Sequence, residues 1–222
     1  MAYQFNFAAL EPYWPQFARG CWLTVLLATL AITIGLVIGI VVALARRSQI
    51  KALDLAAVSY IELIRNTPFL VQVFFIYFGL PALGLSFSPW SAAVLALSVN
   101  CGAFAAEVIR GGIDAIPKGQ YEAGRALGLK PLQIFRYIVL KPALRIIYPA
   151  LSGQFILALL TTSIVSSISA EELTAIAQSI DTLTFRSFEI YIVATILYLT
   201  LAMLFATIFK AIDRAYFSYP VR

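Results

Sequence analysis

Histidine is absent from this chain, and with it go the commonest general base and the commonest metal ligand. Triads built on histidine and His-ligated zinc sites are therefore excluded. Cysteine is nearly absent too: Cys21 and Cys101 both lie in apolar stretches, where thiols act as small hydrophobes and imply no disulfide framework. Charge is scarce, at 12% of residues against about 25% in ordinary soluble domains. Hydrophobic residues make up 61%, against roughly 45–50% in such domains. A water-soluble globular domain is excluded, and so is a disordered chain, which needs low hydrophobicity and high net charge. What remains is a membrane protein, and its long apolar runs make the expected class all-α.

The apolar runs set its spans. A bilayer core of about 30 Å needs roughly 20 apolar helical residues, and 21–45 supplies an uncharged run that stops at Arg46-Arg47. A signal peptide is the alternative there, but residues 1–20 carry Arg19 alone where a positive n-region belongs. A second span over 55–80 must take in Glu62, Arg65, Asn66, Thr67 and Pro68, a polar break in mid-segment. Further spans are predicted over 90–109, 146–169 and 190–209, within one membrane domain of 222 residues.

Five spans put the termini on opposite sides. With the N-terminus outside, the inner segments 46–54, 110–145 and 210–222 hold 3, 7 and 3 basic residues. The outer segments then hold only Arg19 and Arg186. The positive-inside rule selects this orientation, and the formal charge of +5 is read as topology, with no nucleic-acid partner. No internal repeat is evident, and the only long hydrophilic connection is the inner loop 110–145.

Within that loop, Pro117 and Gly119 predict a turn and 120–127 a short helix with Glu122 in its first turn. Gly128 suits the residue just past that helix, and Pro131 the first turn of a second helix over 131–137. Pro142 is expected to break the chain again before the fourth span.

The string Glu122-Ala123-Gly124-x3-Gly128-x9-Ile138-x-Leu140 resembles the EAA loop of permease subunits in binding-protein-dependent ABC importers. Five further strings are similar to the polar amino acid branch of the histidine, glutamine and arginine uptake type. They are Glu62-Leu-Ile-Arg65-Asn66-Thr67-Pro68-Phe-Leu-Val-Gln72, Ala106-Glu107-Val-Ile-Arg110-Gly111-Gly112-Ile, Ile116-Pro117-Lys118-Gly119-Gln120, Ala126-Leu127-Gly128 and Phe188-Glu189-Ile-Tyr191. The chain departs from the usual wording in two places: Gly124 stands where Ala is usual, and Lys141 where Pro is usual, with Pro142 one place later.

The resemblance implies a type I importer permease in a bacterial inner membrane, paired with an identical or paralogous second permease. It also implies two cytoplasmic ATPase subunits docked on the two EAA loops and an extracytoplasmic amino-acid-binding protein. Glu122, Ala123, Gly124 and Gly128 are the implied coupling residues. The chain has no Gly-x4-Gly-Lys-Ser/Thr loop, so ATP and Mg are expected on the partner ATPase and no cofactor on this chain. Glu122 reads as a contact to a partner cation or as a solvated first-turn carboxylate; Ala123 and Gly124 read as small residues packing on the ATPase.

Charges at mid-bilayer cost from about 2.5 kcal/mol upward, so Arg65 and Glu107 need partners or water. Arg65, with Thr67 nearby, is a candidate for a substrate carboxylate; the competing account pairs it with Glu62 at i,i+3. Asn100 and Glu107, seven residues apart, share a helix face that suits a translocation cavity. Alternatively Glu107 and Arg110 snorkel and Asn100 bonds across helices. Thr162, Ser166 and Ser169 form a second candidate stripe, with helix packing as the favoured reading. Gly35-x3-Gly39 reads as a close helix crossing. Glu171, Glu172, Asp181 and Glu189 are expected outside, facing a binding protein or solvent.

The function expected is a transport permease that is not itself an enzyme. A self-sufficient secondary transporter or channel needs an internal repeat or a complete ion relay, and a membrane enzyme needs a nucleophile–base pair; neither is evident.

Overall fold

A computed structural model describes residues 3–217, all in helices and the turns that join them, with no strand among the described residues. A 3₁₀ turn, Phe7–Tyr13, leads into α1 (Trp14–Arg46), whose 33 residues make a rod of about 50 Å at 1.5 Å per residue. That is longer than the hydrocarbon core, so α1 extends past it at one end or both. Pro15 sits in its first turn, where the missing N–H costs nothing, and Arg46 closes its last turn.

The expected second span is not one rod. α2 (Lys51–Arg65) and α3 (Phe69–Phe74), which runs on through a π turn and a 3₁₀ turn to Leu83, are bent by 109° at residues 66–68. Proline explains the site of the bend: it has no N–H to donate and drives the residue before it out of helical geometry. Among the described residues, four helices are long and apolar enough to cross a membrane, and the bent pair makes a fifth if it crosses as a unit.

α4 (Pro89–Asp114) opens on Ser88, whose Oγ accepts from Ser91 N at 3.2 Å. α5 (Lys118–Ala126) is the short helix foreseen in the loop. Helical structure resumes at Pro131 and runs unbroken to Ile168, through α6 (Pro131–Ile134), a π turn (Phe135–Val139), α7 (Leu140–Thr161) and a 3₁₀ turn (Thr162–Ile168). Pro142 therefore does not break the chain. It falls in the first turn of α7, just past the π turn, where the bonding register is already changing. α8 (Leu173–Thr184) is short, and α9 (Ser187–Tyr216) is long and apolar.

Small residues bring the central pair together. α4 buries Ala92, Ala93, Ala96, Ala103, Ala105 and Ala106, and Gly35 and Gly39 of α1 face it. A Cβ added at Gly39 would stand 2.7 Å from Ala105 Cβ and 3.1 Å from the Ala106 backbone nitrogen. Neither neighbour can swing away, so Gly39→Ala is expected to cost about 1–3 kcal/mol of overpacking and to lower the thermal midpoint in detergent. An unchanged midpoint would show that α1 and α4 can separate freely.

Outward faces are apolar along the long helices, as at Val37, Val41 and Leu44 of α1 and Ile196, Leu199 and Met203 of α9. Water would not tolerate such continuous apolar surface; lipid does.

Candidate functional site

The bend between α2 and α3 leaves main-chain carbonyls without helical partners, and side chains take their place. Thr67 Oγ donates back to Leu63 O at 2.8 Å. Gln72, one turn into α3, folds across the gap: its Nε2 donates toward Ile64 O (2.7 Å), Thr67 O (3.1 Å) and Thr67 Oγ (2.9 Å). The other end of the same amide, Oε1, accepts from Asn100 Nδ2 of α4 at 3.0 Å. One side chain thus seals the break and fastens it to the neighbouring helix.

Gln72 was not foreseen as a site residue. Its signal was in the sequence: an amide one turn after a proline is a natural plug for freed carbonyls, since it offers both a donor and an acceptor. Asn100 accordingly bonds across helices, the second of its two readings.

Arg65 does not pair with Glu62. Its guanidinium lies over the Phe104 ring, 5.4 Å from the centroid, and Glu62 accepts from Asn66 Nδ2 at 2.6 Å. As the last residue of α2, Arg65 reaches the neighbouring helix, and a planar cation settles on an aromatic face. Asn100, Phe104 and Glu107 stand at i, i+4 and i+7, so one face of α4 carries the Gln72 contact, the Arg65 contact and Glu107.

Glu107 is spent on Arg110, whose Nε and Nη2 both donate to its carboxylate. Arg110 also donates to Asp114 at 2.9 Å, and Asp114 accepts from Arg47 of α1 at 2.6 Å. A ladder of alternating charge therefore runs from the α4 face to the end of α1, where Arg46 pairs with Asp54 of α2.

α5 is held by its inner face only. Gly124 is buried, and a Cβ there would lie 2.9 Å from both Ile134 and Ile138. Gly124 therefore packs closely on its own chain, because two isoleucines occupy the space where an alanine methyl would stand. Glu122 and Ala123 are exposed, and Glu122 bonds to no other described residue. Gly128 adopts φ +73° and lets Leu129 N reach Gly124 O at 3.1 Å, which ends the helix.

Thr162 and Ser166 do not share a face. Residues 162–168 form a 3₁₀ turn with three residues per turn, so a spacing of four rotates one hydroxyl away from the other. Thr162 is fully buried and donates to Leu159 O, while Ser166 donates to Ser163 O and faces a polar pocket beside Arg19 and Glu171. Ser169 leaves the line altogether, at φ +59°.

Two of the four acidic residues expected to face a binding protein or solvent are instead buried within the chain. Glu189 is fully buried and accepts from Tyr3 OH, Asn6 N and Arg186. Glu172 is fully buried at the start of α8, accepting from Ala175 N at 2.8 Å and from Tyr198 OH. Tethers from distant segments draw both inward. Glu171 remains exposed in an ion pair with Arg19, and Asp181 accepts from Ser187.

Burial pushes the Glu172 carboxyl above its ordinary value of 4.5, against the lowering effect of its hydrogen bonds. A raised folded-state value means the folded protein holds that proton more tightly than the unfolded chain. Its stabilising contribution is therefore full below the unfolded value and declines as pH rises through and beyond it. Glu172→Gln keeps one acceptor oxygen and has no proton to lose. Its thermal midpoint is expected to gain on the native chain as pH rises above the ordinary carboxylate value of 4.5. Parallel midpoints across that range would refute the assignment.

The profile of the family described as binding-protein-dependent transport system inner membrane component matches residues 35–218. The glutamine transport system permease protein GlnP of Escherichia coli strain K12 is 37% identical over 213 residues, which is 95% of this chain and 97% of that one. The chain belongs to this transport family. The L-cystine transport system permease protein TcyB of Bacillus subtilis strain 168 is 34% identical over 205 residues, covering 92% of this chain and 88% of its own. A chain in the crystal structure of an amino acid ABC transporter with histidines superposes with a TM-score of 0.91 at 39% identity, covering 96% of this chain and 100% of that one.

The chain is thus an inner-membrane permease of the binding-protein-dependent kind. The matched segment takes in the sealed break, the polar face of α4, the ion ladder and α5. Its apolar outer faces are the lipid-facing surfaces of such a permease.

Proposed function

We propose that this permease is the membrane subunit of an ATP-driven importer for a polar amino acid. It works beside a second permease, identical or paralogous, with two ATPase subunits on the side of α5 and an amino-acid-binding protein on the opposite side. The observation that carries this is the end-to-end similarity to a glutamine permease, with 97% of that chain's length covered. The N-terminus is placed outside and the C-terminus inside on the distribution of Lys and Arg.

In this reading α5 is the part that the ATPase grips. It is short and exposed on one side, it rests on the root of α6 and α7, and Glu122 is free to meet a cation. Movement of α5 would pass through Ile134 and Ile138 into the long helix that follows. Gly128 keeps that helix short enough to act as a single lever. ATP and Mg are handled by the partner ATPase, and this chain supplies no catalytic group.

Substrate is taken to pass along the face that carries Asn100, Glu107, Arg65 and Thr67. Its carboxylate and ammonium would exchange with the arginines and carboxylates of the ion ladder, which already neutralise one another. Thr162 and Ser166, with hydroxyls bonded to their own backbone, serve helix shape there and not recognition. A secondary transporter is disfavoured, because the sequence shows no internal repeat of the kind such transporters use.

Reconstitution tests the proposal. The permease is co-expressed with its neighbouring ATPase and binding protein, and ATP hydrolysis in proteoliposomes is followed with single amino acids. Hydrolysis and uptake should rise with a polar amino acid only when all partners are present. Uptake by the permease alone would sink it.

A further inference from the structure

We propose that the turn between α8 and α9 is a membrane anchor, its aromatic side chains inserted into the interface of the bilayer leaflet on the side opposite α5. Leu183, Phe185 and Phe188 are 65%, 86% and 62% exposed, so the turn presents a bare apolar tip. Phe185 is also strained. It ends α8 at φ +54°, a left-handed conformation that suits glycine and is disfavoured for phenylalanine. In water the strain and the bare ring would both count against this turn. Insertion of the ring into an apolar medium offsets them.

Position along the membrane follows from the charges. From Ile190 to Phe209 α9 carries no charged residue, and those roughly 20 residues rise about 30 Å, the thickness of a hydrocarbon core. Lys210 marks one edge of that stretch, and the turn before α9 lies just beyond the other. Aromatic rings are favoured at that level. The contacts of α1 tell which end this is: Gly20 packs on Leu173 of α8, whereas Arg47, just past the other end, pairs with Asp114 near α5.

The tip continues a surface already turned to lipid. Phe188, Ile192, Ile196, Leu199 and Met203 recur at helical spacing along α9, and all are exposed. Charge is drawn away from this stripe, because Arg186, the one charged residue between Thr182 and Phe188, donates to the buried Glu189. Aromatic surface extends beside it: Tyr3 meets Phe188 edge-on with centroids 5.0 Å apart, and Phe5 and Phe7 follow. A binding protein that docks and leaves would return all these rings to water at each departure. A bilayer covers them throughout.

The test uses spin labels on the importer with its ATPase, reconstituted in phosphatidylcholine liposomes. Cys21 and Cys101 are replaced by alanine, with retained uptake as the check on folding, and single cysteines are introduced by Leu183→Cys, Phe185→Cys and Phe188→Cys. Ser179→Cys, in the polar pocket beside Arg19 and Glu171, is the aqueous reference. Molecular oxygen, which concentrates in the bilayer, and a water-soluble nickel chelate serve as the two relaxing probes. The ratio of oxygen to nickel collisions is expected to be severalfold higher at 183, 185 and 188 than at 179. Addition of loaded binding protein should leave that ratio unchanged.

The proposal is overturned if nickel reaches 185 and 188 as freely as 179, which would leave the turn in water. It falls equally if neither probe reaches them, since a second permease then covers the turn. Shielding of these labels by loaded binding protein would make the patch a protein dock and would also overturn it. Should Phe185→Cys fail to assemble, the labels at 183 and 188 give the same reading.

Discussion

Glu122→Lys is expected to leave the permease folded and assembled in the membrane while cutting amino acid uptake by about tenfold or more, the scale of a typical coupling free energy. The side chain is exposed and bonds to no other described residue, so its replacement removes no internal contact. Its neighbours explain why the effect should be confined to coupling. α5 is anchored by Gly124 against Ile134 and Ile138, on the face away from Glu122. A lysine there adds a cation where a partner cation is expected and turns attraction into repulsion. The thermal midpoint of the isolated permease should not move, and basal ATP hydrolysis should persist without stimulation by the loaded binding protein. Native uptake in the reversed-charge variant would remove Glu122 from the coupling contact. A fall in the midpoint of the isolated permease would instead assign it a structural role.

Gln72→Leu is expected to be the most damaging single change in the membrane region. It strands the half-buried carbonyls of Ile64 and Thr67 and the amide of Asn100, each at a cost of up to about 1 kcal/mol, the low end for an unpaired group that water can partly reach. The thermal midpoint should drop by several degrees and uptake should be lost. Gln72→Glu separates bonding from size. It retains the acceptor for Asn100 but sets a carboxylate against two carbonyl oxygens, so it should be as harmful as leucine although nearly isosteric. If Gln72→Glu behaves like the native chain at neutral pH, the amide is not sealing the break.

How much of this was legible beforehand depends on the range of the physics involved. The turn at Gly128, the polar break at Pro68 and the close crossing at Gly35 and Gly39 rest on local rules: which residues tolerate positive φ, which lack an N–H, and which let backbones approach. All three features are in the fold. Pro142 misled because a proline stops a helix only where its missing bond was needed, and a π turn just before it had already shifted the pattern. Thr162 and Ser166 misled for a related reason. A stripe inferred at a helical period of 3.6 dissolves when the segment winds as a 3₁₀ turn.

The charged groups divide along the same line. Glu107 and Arg110, three residues apart, could be paired from their spacing. Glu172 and Glu189 could not be placed, since what buries them is Tyr198, 26 residues away, and Tyr3, 186 residues away. Amino acid order alone determined the membrane setting, the helical class, the side on which positive charge collects and the transport family. Those properties are sums over many residues or depend on near neighbours. The tertiary structure decided which polar side chains are spent internally: Gln72 on the break, Gly124 on two isoleucines, Glu172 and Glu189 on their tethers. Such choices depend on which distant segments meet, and burial makes the meeting either bonded or costly.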